Sequence, residues 1–264
     1  MTTLSDAAFG AVPGHWPLPA AHSAVDLWHR SVAAGGQGRY ASALADLETL
    51  GRMPGAAGPL TSLALSTRAS FLRQLGGHEA ARGWDGRAWA QAGGDLEAEA
   101  DALIGLAADA LGVGRFAASA RLLRRARDTV ARGSACGLAA RIPVRLAWVS
   151  AELAMVTGEG AAAVDHAERA VTLAGSTGSM RHAVKSEVVL AAALCCSGET
   201  SASSRVADAA LGLAQRLGLV PLSWALACLL ADVGSASNTP EDIATIRDVS
   251  ADTVRRRGGA WTVR

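Results

Sequence analysis

Six glycines divide the chain at nearly regular intervals. Gly38, Gly76, Gly114, Gly158, Gly198 and Gly234 are separated by 38, 38, 44, 40 and 36 residues. The residue seven positions before each is small: Ser31, Ala69, Ala107, Ala151, Ala191 and Ala227. Five positions after the first five stand Ala43, Ala81, Ser119, Ala163 and Ser203. Two of the phrases are close copies, GQGRYASALADL at 36–47 and GVGRFAASARLL at 112–123. A period of this length marks a repeat architecture, in which each unit buries its apolar face only against its neighbours. A glycine at the same place in every unit supplies a left-handed helix stop. A small residue on either side lets two helices approach closely. Each unit is therefore predicted to be a helix, a glycine turn and a second helix.

Composition agrees. The chain is 50% hydrophobic, and much of that is alanine and leucine, which favour helix. One tyrosine and three phenylalanines leave little material for a β-sandwich. The segments GRMPGAAGP (51–59), AGGD (92–95), GSACG (133–137), GSTGS (175–179) and LGLVP (217–221) fall between units and read as loops. The last unit finds its second helix in TPEDIATIRDVSADTVRRR, 239–257. Thr239 is a good N-cap, Pro240 suits the first helical position, and Asp242 completes a capping box. A polar terminal helix is what a stack of repeats needs as a cap. The expected organisation is a flexible N-terminal arm (1–19), a repeat array (20–236) and a capping helix with its tail (237–264).

The array resembles tetratricopeptide repeats. Units of that family carry small residues at these positions and an aromatic two residues after the turn glycine. Here that aromatic is Tyr40 or Phe116, with His78 in the second unit and Gly160 and Thr200 in later ones. The period exceeds the family's, about 34 residues, so the array is degenerate. The resemblance implies an all-α, right-handed superhelical solenoid whose first helices line a concave groove. The fifth positions of the units, ten residues before each glycine, are Trp28, Ser66, Ile104, Trp148, Val188 and Trp224. Second positions include Arg145 and Lys185, ninth positions Ser70 and Glu152, and Arg73 and Gln74 fall at the twelfth and thirteenth. The implied partner-binding groove is Trp28, Arg73, Arg145, Trp148, Glu152, Lys185 and Trp224. Aromatic anchors with a few cationic donors suit a peptide that is acidic or ends in a carboxylate. Tryptophans also serve simply as packing between neighbouring helices. The family's carboxylate clamp needs lysine, asparagine and arginine at fifth and ninth positions. This chain has Trp28/Val32, Ser66/Ser70 and Ile104/Ala108 there, so the clamp is not carried over.

A net charge of +1 points to neither nucleic acid nor a membrane surface. Charge is uneven locally. Residues 95–109 hold five acids and no base, while 115–145 hold eight arginines against Asp128. Such runs form a solvated helix face with i,i+4 pairs, or dock an acidic partner or nucleic acid. IATIRDVSADTV (243–254) resembles the helix-turn-helix of LuxR-type regulators, with Arg255, Arg256 and Arg257 following. It departs at Arg247, where that motif has leucine, and at Asp248, where it has the turn glycine.

There is no Gly-x-Ser-x-Gly, no P-loop and no metal-ligating set among six scattered histidines. No catalytic residue, cofactor or metal is expected. Four cysteines without CxxC spacing fit a reducing compartment, and Cys195, Cys196 and Cys228 read as small buried hydrophobes. The N-terminus has no leader pattern and no run is long enough to span a membrane. The expected function is a non-catalytic cytoplasmic scaffold or adaptor for a protein or peptide. The alternatives are a transcription-associated regulator touching DNA through the C-terminal or arginine-rich helix, and a homo-oligomer built on the same tryptophans.

Overall fold

The computed structural model describes residues 2–133 and 137–262, which are helical and turn segments without a strand. Residues 134–136, within the expected loop at 133–137 and including Cys136, lie outside the described residues. Among the described residues, after a short helix α1 (Leu4–Phe9), twelve helices form six hairpins. These are α2 (Ala24–Gly36) with α3 (Tyr40–Gly51), α4 (Pro59–Gln74) with α5 (His78–Gln91), and α6 (Leu96–Gly112) with α7 (Phe116–Gly133). They continue with α8 (Arg141–Val156) and α9 (Gly160–Gly175), α10 (Met180–Cys196) and α11 (Thr200–Arg216), and α12 (Val220–Val233) and α13 (Pro240–Arg256).

The sequence period maps directly onto these hairpins. All six landmark glycines sit at the hairpin turns with φ between +73° and +88°, a region that side chains with a Cβ avoid. In the first unit the amide of Arg39 donates back to the carbonyl of Ala34 at 2.9 Å. The same bond closes the next four units, and it satisfies carbonyls that a helix end would otherwise leave unpaired. The eleven small residues in register with the glycines are all 0% exposed. They sit where the helices touch, so a larger side chain there would overpack the contact by about 1–3 kcal/mol. Ser203 shows the closeness: its hydroxyl donates to the Ala191 carbonyl across the hairpin at 2.7 Å.

Each first helix also packs on the first helix of the next unit, from α2 through α12. These six form the inner layer. The sixth hairpin ends in the expected cap: Thr239 accepts from the Asp242 amide at 3.1 Å, and Asp242 caps in return.

Three features differ from the sequence expectation. The arm expected to be flexible, described here over residues 2–19, is packed. Thr3 and Asp6 form a capping box for α1, and Leu4, Ala7 and Ala8 are buried. Gln37 donates to the carbonyls of Pro13 and His15 at 2.8 and 3.0 Å. Second, residues 243–254 run as one uninterrupted helix inside α13. The helix-turn-helix reading of that stretch needs a turn at Asp248, and the backbone has none. Third, the tail folds back on the start of the array. Arg257 donates to the Gln37 carbonyl at 2.8 Å, and its own carbonyl accepts from the Ala41 amide at 3.0 Å. Thr262 donates its amide to the Leu75 carbonyl at 2.8 Å. This contact explains why Tyr40 is 1% exposed whereas Phe116, its counterpart in the repeat, is 39% exposed. Val254 and the tail cover the first unit, and among the described residues no tail segment covers the third. Of the described thiols, Cys195 and Cys228 are partly buried but Cys196 is exposed.

Candidate functional site

The inner layer carries a charged ladder. Seventeen residues before the turn glycines of units three, four and five stand Glu97, Arg141 and Arg181. One helical turn further on stand Asp101, Arg145 and Lys185. Residues four apart share a helix face, so both rows point to the same side and neighbouring rungs meet. Arg141 binds Glu97 at 2.7 Å and Asp101 at 3.0 Å, and Arg145 binds Asp101 at 2.8 Å. Glu97 and Asp101 of the acidic run and the last two arginines of the arginine-rich stretch are thus partners across units. They are not parts of a solvated face.

The ladder runs out at unit five. The corresponding places in unit six are Leu217 and Pro221, so Arg181 faces no carboxylate. Its Nε is buried and has no hydrogen-bond partner among the described residues. Gly36 makes room for its stem: a Cβ there would lie 2.9 Å from Arg181 Cδ. Burial, with repulsion from Arg145 and Arg141, pushes the Arg181 pKa down to about 10, which still leaves it charged at neutral pH. Burial also holds Arg145 below the ordinary arginine range despite Asp101. For Arg141 burial is outweighed by Asp101 and Glu97, and its pKa is raised. For Asp101 burial is outweighed by Arg141 and Arg145, and its pKa is lowered. His182 is driven well below the usual histidine range by burial and then by the three arginines, so its ring is neutral.

These groups surround a cavity of about 50 Å³, room for a few waters or one small polyatomic ion. Arg141, Arg145 and Arg181 line one side, with Asp101 beneath them. Ser66, Thr67 and Ser70 of α4 line the other. Trp28 and Trp148 are its aromatic walls. Both have their indole N–H satisfied by the next unit, Trp28 donating to Thr67 at 3.0 Å and Trp148 to Ser186 at 2.8 Å. They are packing residues and wall residues at once. Phe9, the last residue of α1, is a further wall, its ring 5.6 Å from the Arg141 guanidinium and 6.0 Å from that of Arg181.

The structure therefore brings Trp28, Arg145 and Trp148 together and separates the other expected groove residues. Lys185 pairs with Glu152 at 3.6 Å, both side chains about a third exposed, at the rim beside the Trp148 ring. Trp224 packs against Trp261 of the tail with centroids 4.3 Å apart. Arg73 is withdrawn altogether: it lies in a sealed cluster with Asp85 and Asp109, bonding Asp109 at 3.0 Å. One guanidinium there serves two fully buried carboxylates. Burial raises Asp85 against the pull of Arg73. Burial likewise raises Asp109, to about 7. Gly105 leaves the space that the Asp85 carboxylate fills.

Sequence reasoning passed over Arg141, Arg181 and His182. The signal was present. Stepping one turn back from Arg145 and Lys185 along the same face reaches Arg141 and Arg181, at one repeat position 40 residues apart. Among the described residues no group of histidine, cysteine and acidic side chains is arranged to hold a metal. No helix of the described residues is long and apolar enough to cross a membrane. Compared with protein-family models and with curated proteins, the chain matches none.

Proposed function

We propose that the chain is a non-catalytic binding protein, a helical-repeat adaptor whose inner face receives an acidic segment of a partner protein. A right-handed superhelical course and kinship with tetratricopeptide repeats belong to the same proposal, as does residence in a reducing compartment such as the cytoplasm. One observation carries it. Five consecutive inner helices converge on a single aromatic-walled cavity in which guanidinium charge outweighs carboxylate. Large aromatics beside arginines are the groups that dominate recognition surfaces, and an excess of one charge selects the opposite charge in a partner. The partly exposed rim at Trp148, Glu152 and Lys185 extends that surface outward.

The test uses short synthetic peptides of graded acidic content. The wild-type chain is compared with the double variant Trp148→Ala/Arg145→Glu, after circular dichroism shows an unchanged helical spectrum. Retention should rise with acidic content, and the dissociation constant should increase by about tenfold or more in the variant. Equal binding by both proteins sinks the proposal. A second reading has one observation of its own: Arg121, Arg124, Arg125 and Arg127 crowd one surface of α7 with only Asp128 among them. If that surface holds nucleic acid, affinity falls steeply with salt. A flat, undetectable signal at low salt removes it.

A further inference from the structure

Arg181 is the least explained group in the molecule. It is a charged side chain turned inward, with its Nε desolvated and no carboxylate opposite. Burying a charge without a partner is costly, and breaking a buried pair is expensive for the same reason. Arg141 and Arg145 do not relieve it, since they add like charge. Asp101 is already shared between those two, and Glu97 is taken by Arg141 at 2.7 Å. The Phe9 ring is at the outer limit for a cation–π contact with Arg181, about 6 Å. With Glu97 counted, the three guanidiniums are left with one positive charge in excess, and it falls on Arg181.

We propose that this cavity is a binding site for a phosphate group, free or carried by a small phosphomonoester, held by the guanidiniums of Arg141, Arg145 and Arg181. Three features select phosphate over a carboxylate. A phosphomonoester carries about −1.5 to −2 charge at pH 7, more than a carboxylate, and so draws on all three guanidiniums rather than on Arg181 alone. Guanidiniums bind phosphate oxygens through paired, charge-assisted N–H donors, and two helices present them from neighbouring units. On the α4 side of the cavity the Ser66 hydroxyl is buried and has no hydrogen-bond partner among the described residues, a donor for the further oxygen that a planar carboxylate does not have. The size of the cavity admits the group itself, with Phe9 as the wall that a larger bearer would displace. This site stands whether or not an acidic peptide binds at the rim.

Calorimetric titration and thermal melts of the full chain with inorganic phosphate, phenyl phosphate and acetate, at constant ionic strength made up with chloride, test it. The variants are Arg181→Gln, Arg181→Lys and Phe9→Ala, each checked for an unchanged helical spectrum. Phosphate or phenyl phosphate should bind and raise the melting temperature with concentration, as any native-state ligand does. Acetate should not. Arg181→Gln should weaken phosphate by about tenfold or more, and Arg181→Lys should keep part of the affinity. Tighter binding of phenyl phosphate by Phe9→Ala would identify a small phosphomonoester as the occupant, whereas inorganic phosphate favoured in both proteins identifies the free ion. The proposal is overturned by three results: no phosphate binding in wild type and Phe9→Ala alike, equal binding by Arg181→Gln, or acetate binding as tightly as phosphate. Peptide capture is read separately, so a phosphate site without peptide binding, or the reverse, tells the two proposals apart.

Discussion

Two arginine–carboxylate clusters meet at α6, which gives Asp101 to one and Asp109 to the other, and they are unbalanced in opposite directions. Around Arg73 one guanidinium meets two buried carboxylates. Around Arg181 three guanidiniums meet one buried carboxylate, with Glu97 at the edge. The two imbalances are not equivalent. A carboxylate in excess can take a proton from water, and Asp109 does so with a pKa of about 7. A guanidinium in excess has no proton to give up near neutral pH. The first cluster can be sealed because chemistry within it restores balance. The second must stay open to something from outside. Its position at a cavity, and the sealed position of the other, follow from that difference.

Mutations can break this contrast, and the largest effect belongs to the sealed side. Arg73→Met strands two buried carboxylates and should cost about 3–5 kcal/mol, read as a lower urea midpoint. Next comes the proton. The Asp109 pKa lies above its ordinary 3.8, so the folded state holds the proton more tightly than the unfolded chain. That stabilisation is complete below about pH 4 and is lost as pH rises to about 7; Asp85 is raised too, and the two titrate as a pair. Asp109→Asn should flatten this slope, gaining about 1–3 kcal/mol over wild type near pH 8 and nothing near pH 4, in urea melts at the two pH values. On the open side the sign reverses. Arg181→Met removes an uncompensated charge and should stabilise the ligand-free chain by about 1 kcal/mol, measured in phosphate-free buffer. A loss of stability there would mean that Arg181 is already balanced within the fold. The smallest effect is a surface pair. Arg255 and Asp252 are 2.5 Å apart with side chains more than half exposed, and Asp252→Ala should cost under about 0.5 kcal/mol.

The parts legible in the sequence are those set by contacts within a unit. Glycine turns and small residues at fixed offsets are local requirements of a tight helix hairpin, and each reappears in the backbone where the period put it. The Thr239 cap is likewise local. Which charged rungs meet, by contrast, depends on how neighbouring units are rotated against each other. Arg145 was visible as a repeat position, but its pairing with Asp101 was not. Arg73 shared the same face by counting, yet the approach of α5 and α6 enclosed it. The arm was missed because α1 is shorter than a helix that stands alone in water. Leu4, Ala7, Ala8 and Phe9 become a face only once α2 and α10 provide something to lie against.

The clasp between Arg257 and the turn at Gln37 joins residues 220 apart in sequence. A row of repeats with free ends loses its outermost members first, and its stability grows or shrinks as members are added or removed. Here the first and last members hold each other, so neither is a fraying end. Six becomes a fixed number: inserting or deleting one hairpin would pull the clasp apart, and the molecule should melt as a single unit rather than peel.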